Sequence, residues 1–397
     1  MPKKIFEITN FIWHFIAAAL IVRIITEKID KSDYGMYTYV LMFLVLSVQV
    51  SGNFFFPGMI REWQKIKNTG KPLIILLKGI AIAMALNALI SILVYVLFLI
   101  EFSKLFVLVT FLLASFKGLT RMMNQLLNMD NKRNIYVYLE SIILLLTVII
   151  LSFYNFKSIL FIVIILSGMF LVQLALQFSL LLKNSKSTIV RMNENKLLDE
   201  IYRYSRPFVI TNIVVYLVQQ FDRYYLNEFM SIEAVGIYSA NFQLSWAPFV
   251  VASSILAAYI MPKVNIHFDT KKSLNIDIDL RILCFAMVAV ILSYMLGPIL
   301  VKYMIPKMFN LQVCLVLITA GWLSILTSMG ELIFAAARRT SDLNRLRIIV
   351  FILGIILTYV YYEIFGSRSV IGVPLVITYI IYLISLLKQS RKLTLII

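Results

Sequence analysis

Residues 219–248 read QQFDRYYLNEFMSIEAVGIYSANFQLSWAP. An apolar run closes on Phe221-Asp222-Arg223-Tyr224-Tyr225. A short polar turn follows, and a second apolar run opens on Val235-Gly236-Ile237-Tyr238. A carboxylate and a guanidinium are costly in lipid, so the stretch predicts two membrane spans whose charges face protein or a water-filled cavity. The pattern recurs near the start of the chain, where Arg23 precedes a polar turn and Gly35-Met36-Tyr37 heads the next run. Arginine and glycine keep nearly the same spacing in both copies. Two such copies half a chain apart predict a duplicated membrane protein.

Composition agrees. Hydrophobic residues make up 61% of the chain, charged residues 14%, and mean hydropathy is +0.90. A soluble domain has roughly 45–50% apolar and about 25% charged residues. Long apolar runs recur from end to end, which predicts an all-α integral membrane protein with about twelve transmembrane helices. The first half is expected over residues 1–182, a cytoplasmic linker over 183–206, and the second half over 207–397. Pro207 is expected in the first turn of span seven, where its missing N–H costs nothing. Pro57-Gly58 and Met261-Pro262 close spans two and eight in matching positions, and Pro248 interrupts span eight. Arg61, Lys65, Lys67 and Lys71 are assigned to one basic loop, and Arg338 through Arg347 to another.

The net charge of +17 comes mostly from alternate loops rather than from one face, so nucleic acid is not the expected partner. One set of loops and both tails carries about 26 Lys and Arg. The opposite set carries Lys28, Lys31, Lys104, Lys157, Lys302, Lys307 and Arg368, an asymmetry that places both termini in the cytoplasm. Lys3 and Lys4 before the first run resemble a signal peptide, but that run is needed in the repeat, so no cleavage is expected. Cys284 and Cys314 lie in apolar runs and predict no disulfide. With two His and two Cys, and no Walker A, GxSxG, HExxH or CxxC pattern, neither a metal centre nor an enzyme is expected.

Four basic residues fall inside predicted spans: Arg23, Lys117, Arg121 and Arg223. Snorkelling to lipid headgroups is one reading of Arg23 and Arg223; lining a cavity is the other. Lys117 and Arg121 lie nearer the middle of span four, expected over about residues 105–128, and Asn124, Gln125 and Asn128 continue their helical face. Span seven carries Asn212, Tyr216, Gln219 and Arg223 on one face, with Asp222 one position round. Two polar-striped spans, one per half, suggest a hydrated cavity, against the alternative of helices glued by side-chain hydrogen bonds. Glu140 sits at a depth similar to Arg121, as a structural or a functional ion pair. His14 is either a proton carrier or a buried, hydrogen-bonded histidine.

Asp222-Arg223-Tyr224-Tyr225-Leu226 with Val235-Gly236-Ile237-Tyr238-Ser239-Ala240 resembles the mid-chain signature of Wzx-type polysaccharide flippases. Tyr34-Gly35-Met36-Tyr37 resembles its N-terminal counterpart. That family belongs to the superfamily of multidrug, oligosaccharidyl-lipid and polysaccharide exporters. The resemblance implies a MATE-like, V-shaped fold of two pseudo-symmetric six-helix bundles. It implies flipping of an undecaprenyl-pyrophosphate-linked oligosaccharide, an O-antigen or capsule/exopolysaccharide repeat unit, across a bacterial inner membrane. Arg23, Lys117, Arg121 and Arg223 would be its basic cavity residues, joined by Asn124, Asn212 and Gln219. Asp222, Glu140 and His14 are the coupling or gating candidates. No cofactor is expected beyond a coupling H+ or Na+. The expected partners are the lipid-linked oligosaccharide, membrane lipids, a polysaccharide polymerase and the chain-length machinery, around a monomer. Two rivals stand beside this reading. A drug or small-solute antiporter is disfavoured by the intramembrane cations, and a membrane glycosyltransferase or polymerase by the short external turns.

Overall fold

The computed structural model describes residues 2–53, 55–68, 72–129, 133–154, 158–182, 194–246, 248–249, 252–253, 280–336, 340–366 and 370–394. Within them the chain is helical, and it divides into two compact units, Met1–Ile213 and Val214–Ile397. Among the described residues, six helices are long and apolar enough to cross a membrane: Lys31–Gly52, Ile74–Leu99, Ile159–Leu180, Met287–Met304, Leu311–Glu331 and Ser341–Phe365. Leu139–Phe153 and Val373–Gln389 are shorter apolar helices. The protein is a multi-pass membrane protein.

The first unit contains α1 (Pro2–Lys28), α2 (Lys31–Asn53), α3 (Phe56–Asn68), α4 (Pro72–Val94, continued by a π-helical turn Tyr95–Leu99), α5 (Lys104–Met129), α6 (Arg133–Phe153), α7 (Ile159–Leu182) and the opening of α8 (Glu194–Phe229). α5 packs along α7 and α2, α2 along α4, and α1 along α6. Lipid supplies no hydrophobic force between helices, so polar side chains hold some of them together. Buried Asn87 on α4 accepts from Ser47 Oγ of α2 at 2.6 Å and donates to Ser115 Oγ of α5 at 2.8 Å. Ser91 lies 2.7 Å from the same Ser47 hydroxyl. Where α1 and α6 end, Lys28 donates to the carbonyls of Leu151, Ser152 and Tyr154, satisfying the open end of α6.

α3 corrects the expected loop. Residues 61–68 are helical because Met59, Trp63 and Ile66 repeat on one face and all three are buried, while Arg61 and Lys65 stay exposed on the other. Lys71 lies outside the described residues. The buried face packs with Ile75, Leu76, Met122, Met123 and Leu126, and with Leu197 and Ile201 of α8. This second contact explains a further difference. α8 begins at Glu194, not at Pro207, because its first turns bury Leu197 and Ile201 against α3; Pro207 is tolerated inside the helix at the loss of one backbone hydrogen bond. Ser205 ties the two elements together, its Oγ accepting from Gly58 N at 2.8 Å and donating to Phe55 O at 3.2 Å. Arg61 lies over the Tyr204 ring at 4.3 Å, and Lys65 pairs with Glu62 at 2.7 Å and Glu200 at 3.4 Å. Glu62 first, helped by Glu200, raises the Lys65 pKa above its ordinary value.

Gly58 stands tight against the backbone of α8. A Cβ there would stand 2.2 Å from the Ile201 carbonyl oxygen. Gly58→Ala is therefore expected to push α3 off α8, costing on the order of 1–3 kcal/mol. A lowered thermal-unfolding midpoint of the detergent-solubilised protein is the readout, and an unchanged midpoint would contradict the contact.

The second unit takes in the rest of α8, α9 (Ile232–Ser245), α10 (Leu280–Met304), α11 (Leu311–Ala336), α12 (Thr340–Phe365) and α13 (Val373–Thr394). α13 packs along α11 and α12, and α11 along α9 and α10. These neighbours repeat those of the first unit, where α7 packs on α5 and α6, and α5 on α2 and α4. The same order of helix neighbours thus recurs in the two units, each taken by itself. Gly35 and Gly236 even occupy the same place, the second turn of α2 and of α9. Asn241 secures α9: its Nδ2 donates to Met308 O at 2.8 Å and its Oδ1 accepts from Asn310 N at 3.4 Å. Pro248 marks a break in the span, as expected: residues 248–249 are helical again beyond the turn at Trp246. α9 ends before it, with Trp246 as C-cap donating its N–H to Phe242 O. Arg347 lies inside α12 rather than in a loop, because Glu331 of α11 neutralises it there. Met261-Pro262, Arg338-Arg339 and residues 183–193 of the expected linker lie outside the described residues.

Candidate functional site

The hinge stretch builds a closed polar cluster in the second unit. α8 ends at Phe229, and Ser231 caps α9 by accepting from Ala234 N at 3.2 Å. The tight turn folds α9 back along α8, so the Asp222-Arg223 pair meets Tyr238 and Ser239. Asp222 is 1% exposed and its Oδ2 accepts from the Tyr238 hydroxyl at 2.9 Å. Arg223 is 6% exposed; its Nε donates to Ser239 Oγ at 2.8 Å, and its guanidinium lies 4.9 Å from the Phe242 ring centroid. The two charges therefore bond α9 rather than each other. Tyr225, next on α8, stacks on Tyr362 of α12 with ring centroids 6.1 Å apart.

The N-terminal counterpart is open. Arg23 pairs with Glu27 one turn on, at 3.0 Å, and keeps 29% of its side chain exposed. α5 presents Lys117 as an exposed side chain. Among the described residues, Glu140 on α6 is a charged neighbour of Lys117, and Glu140 also meets Gln173 on α7, so three helices converge there. Glu140 was expected beside Arg121; the described cation that acts on it is Lys117. The side chains of Arg121, Asn124, Gln125, Asn128, Asn212 and His14 lie outside the described residues, although all six positions are helical.

On α8, Gln219 donates from Nε2 to the Tyr379 hydroxyl of α13 at 3.4 Å. Close to Tyr379 is a group that sequence reasoning did not assemble. Glu331 of α11 takes the Arg347 guanidinium of α12 with both oxygens: Nε reaches Oε1 at 2.8 Å, and Nη2 reaches Oε2. The Tyr382 hydroxyl of α13 donates to the same Oε1 at 2.6 Å. The lone Glu331 in an apolar run was the available signal.

No family model and no curated protein sequence matches this chain. Solved structures do. An inward-facing multidrug resistance MATE family transporter of the MOP superfamily aligns with a TM-score of 0.63 and 12% identity, over 96% of this chain and 95% of that one. The fold is MATE-like. A MOP superfamily transporter from Pyrococcus furiosus, whose binding pocket is described as having reverse polarity, aligns at 0.56 and 13% identity over 97% and 96%. The lipid II flippase MurJ, in an inward closed conformation, aligns at 0.55 and 16% identity over 99% of this chain and 89% of that one. Within this MATE-like fold, the first unit holds an exposed cation at Lys117 on α5, and the second holds closed charges at Asp222 and Arg223 and a half-open pair at Glu331–Arg347.

Proposed function

We propose that the protein is a flippase. It carries an undecaprenyl-pyrophosphate-linked oligosaccharide, an O-antigen or capsule/exopolysaccharide repeat unit, from the cytoplasmic to the outer leaflet by alternating access of two six-helix bundles. The observation that carries this reading is Lys117: an exposed cationic side chain inside α5, in a fold shared with a lipid II flippase. Flipping takes a diphosphate and a polar glycan through a region where lost hydration is expensive, while the prenyl tail stays in lipid. Fixed cations replace part of that hydration, and amide and hydroxyl side chains accept the sugars.

In this proposal Lys117, Arg121 and Arg23 draw in the diphosphate, and Asn124, Asn212 and Gln219 line the path. Arg223 and Asp222 hold the α8–α9 turn and gate it, and Glu140 and His14 complete the coupling candidates, with H+ or Na+ as the driving ion. Twelve spans, both termini in the cytoplasm and a monomer in the bacterial inner membrane complete the picture. A polysaccharide polymerase and the chain-length machinery would receive the cargo. The reading of a drug antiporter draws on the multidrug transporter at TM-score 0.63. Reconstitution separates the two: the flippase moves a lipid-linked diphosphate glycan across a proteoliposome bilayer, and the antiporter moves soluble cations instead.

A further inference from the structure

Arg347 lies in the second turn or so of α12, within the span Ser341–Phe365, and Glu331 closes the span Leu311–Glu331 of α11. The pair sits toward the ends of both spans, and charges taken partly out of water repay their desolvation only with good geometry. The geometry here is bidentate, and Tyr382 satisfies Glu331 further. Yet the pair is not sealed. Arg347 keeps 26% and Glu331 22% of the side chain exposed, whereas Asp222 and Arg223 are 1% and 6% exposed. A purely structural pair gains nothing from that opening.

A guanidinium fork presents the same two parallel N–H groups to a carboxylate and to a phosphate. We infer that Glu331 is a built-in stand-in for phosphate, and that Arg347 is a latched anion contact whose carboxylate partner yields to the diphosphate of a lipid-linked cargo. This deepens the flippase reading and rests on it. Displaced Glu331 keeps the Tyr382 hydroxyl as a donor, so it is not left bare. Tyr379 and Gln219 stand beside the exchange point and offer a hydroxyl and an amide to the first sugar. The latch also limits affinity. Only the fraction of molecules with Arg347 released binds, so the apparent dissociation constant rises by that factor and cargo is not trapped.

The test is equilibrium binding of farnesyl diphosphate, with farnesol as the uncharged control, to the full-length protein in lipid nanodiscs. Glu331→Gln preserves the Tyr382 hydrogen bond and weakens the latch, so it should bind the probe about 5-fold more tightly than wild type. Arg347→Gln should bind at least about tenfold more weakly, with Arg347→Lys between the two because it keeps charge and loses the fork. Should Arg347→Gln fail to fold, Arg347→Lys against Glu331→Gln carries the same comparison. Unchanged binding in the Arg347 variants overturns the inference. So does equal weakening in Glu331→Gln and Arg347→Gln, the mark of a structural pair only. Loss of binding in Lys117→Gln with full binding in Arg347→Gln leaves the flippase reading standing and sinks this one. A wild-type protein that prefers farnesyl diphosphate no more than farnesol sinks both.

Discussion

Lys117→Gln is expected to abolish delivery of glycan to the outer surface, with the protein still inserted at wild-type levels. A lysine facing lipid near the bilayer centre costs roughly 2.5–3.5 kcal/mol on insertion scales, so removing it cannot harm insertion on that account. A charge-assisted contact to a diphosphate is worth about 1.5–3 kcal/mol, which corresponds to roughly a ten- to hundredfold loss if the contact is made only by cargo. Lys117 also faces Glu140, so a purely structural role has to be separated. Lys117→Gln leaves Glu140 without that counter-charge. The double variant Lys117→Gln/Glu140→Gln removes the stranded carboxylate and should restore the unfolding midpoint without restoring transport. Lys117→Arg should keep much of the activity, because the charge is read more than its shape. Wild-type surface polysaccharide in Lys117→Gln would contradict the assignment.

Asp222→Asn should cut transport about tenfold or more, within the range of ordinary coupling energies, and lower the unfolding midpoint as well, because buried Arg223 loses its neighbouring carboxylate. The amide oxygen still accepts from the Tyr238 hydroxyl, so the hydrogen bond at 2.9 Å survives while the charge beside Arg223 does not. Asp222→Ala is different. It strands a fully buried tyrosine hydroxyl, at about 1–3 kcal/mol. Paired measurements of transport and unfolding midpoint therefore distinguish the charge from the bond. Full transport in Asp222→Asn would remove Asp222 from the mechanism.

Much of this architecture was legible because lipid imposes simple patterns. The Arg–Gly echo of residues 23–35 and 223–236 pointed to a duplication, and the two units do repeat each other's helix neighbours. The misassigned segments share one cause: charge was read as loop. Arg61 and Lys65 hid the period of Met59, Trp63 and Ile66, which makes α3 an amphipathic helix. Polar residues before Pro207 hid Leu197 and Ile201, which dock α8 on α3. Arg347 was assigned to a basic loop because its neutralising partner, Glu331, is remote in sequence and meets it only through packing. The buried Ser47–Asn87–Ser115 chain was invisible for a different reason: single small polar residues in apolar runs carry no period.

The most direct measurement is transbilayer movement of a fluorescent undecaprenyl-diphosphate oligosaccharide in proteoliposomes, scored by the fraction that a membrane-impermeant reagent can reach. The account predicts protein-dependent movement that Lys117→Gln removes. Movement no faster than in protein-free vesicles, alongside uptake of a soluble cationic drug by the same preparation, would contradict it.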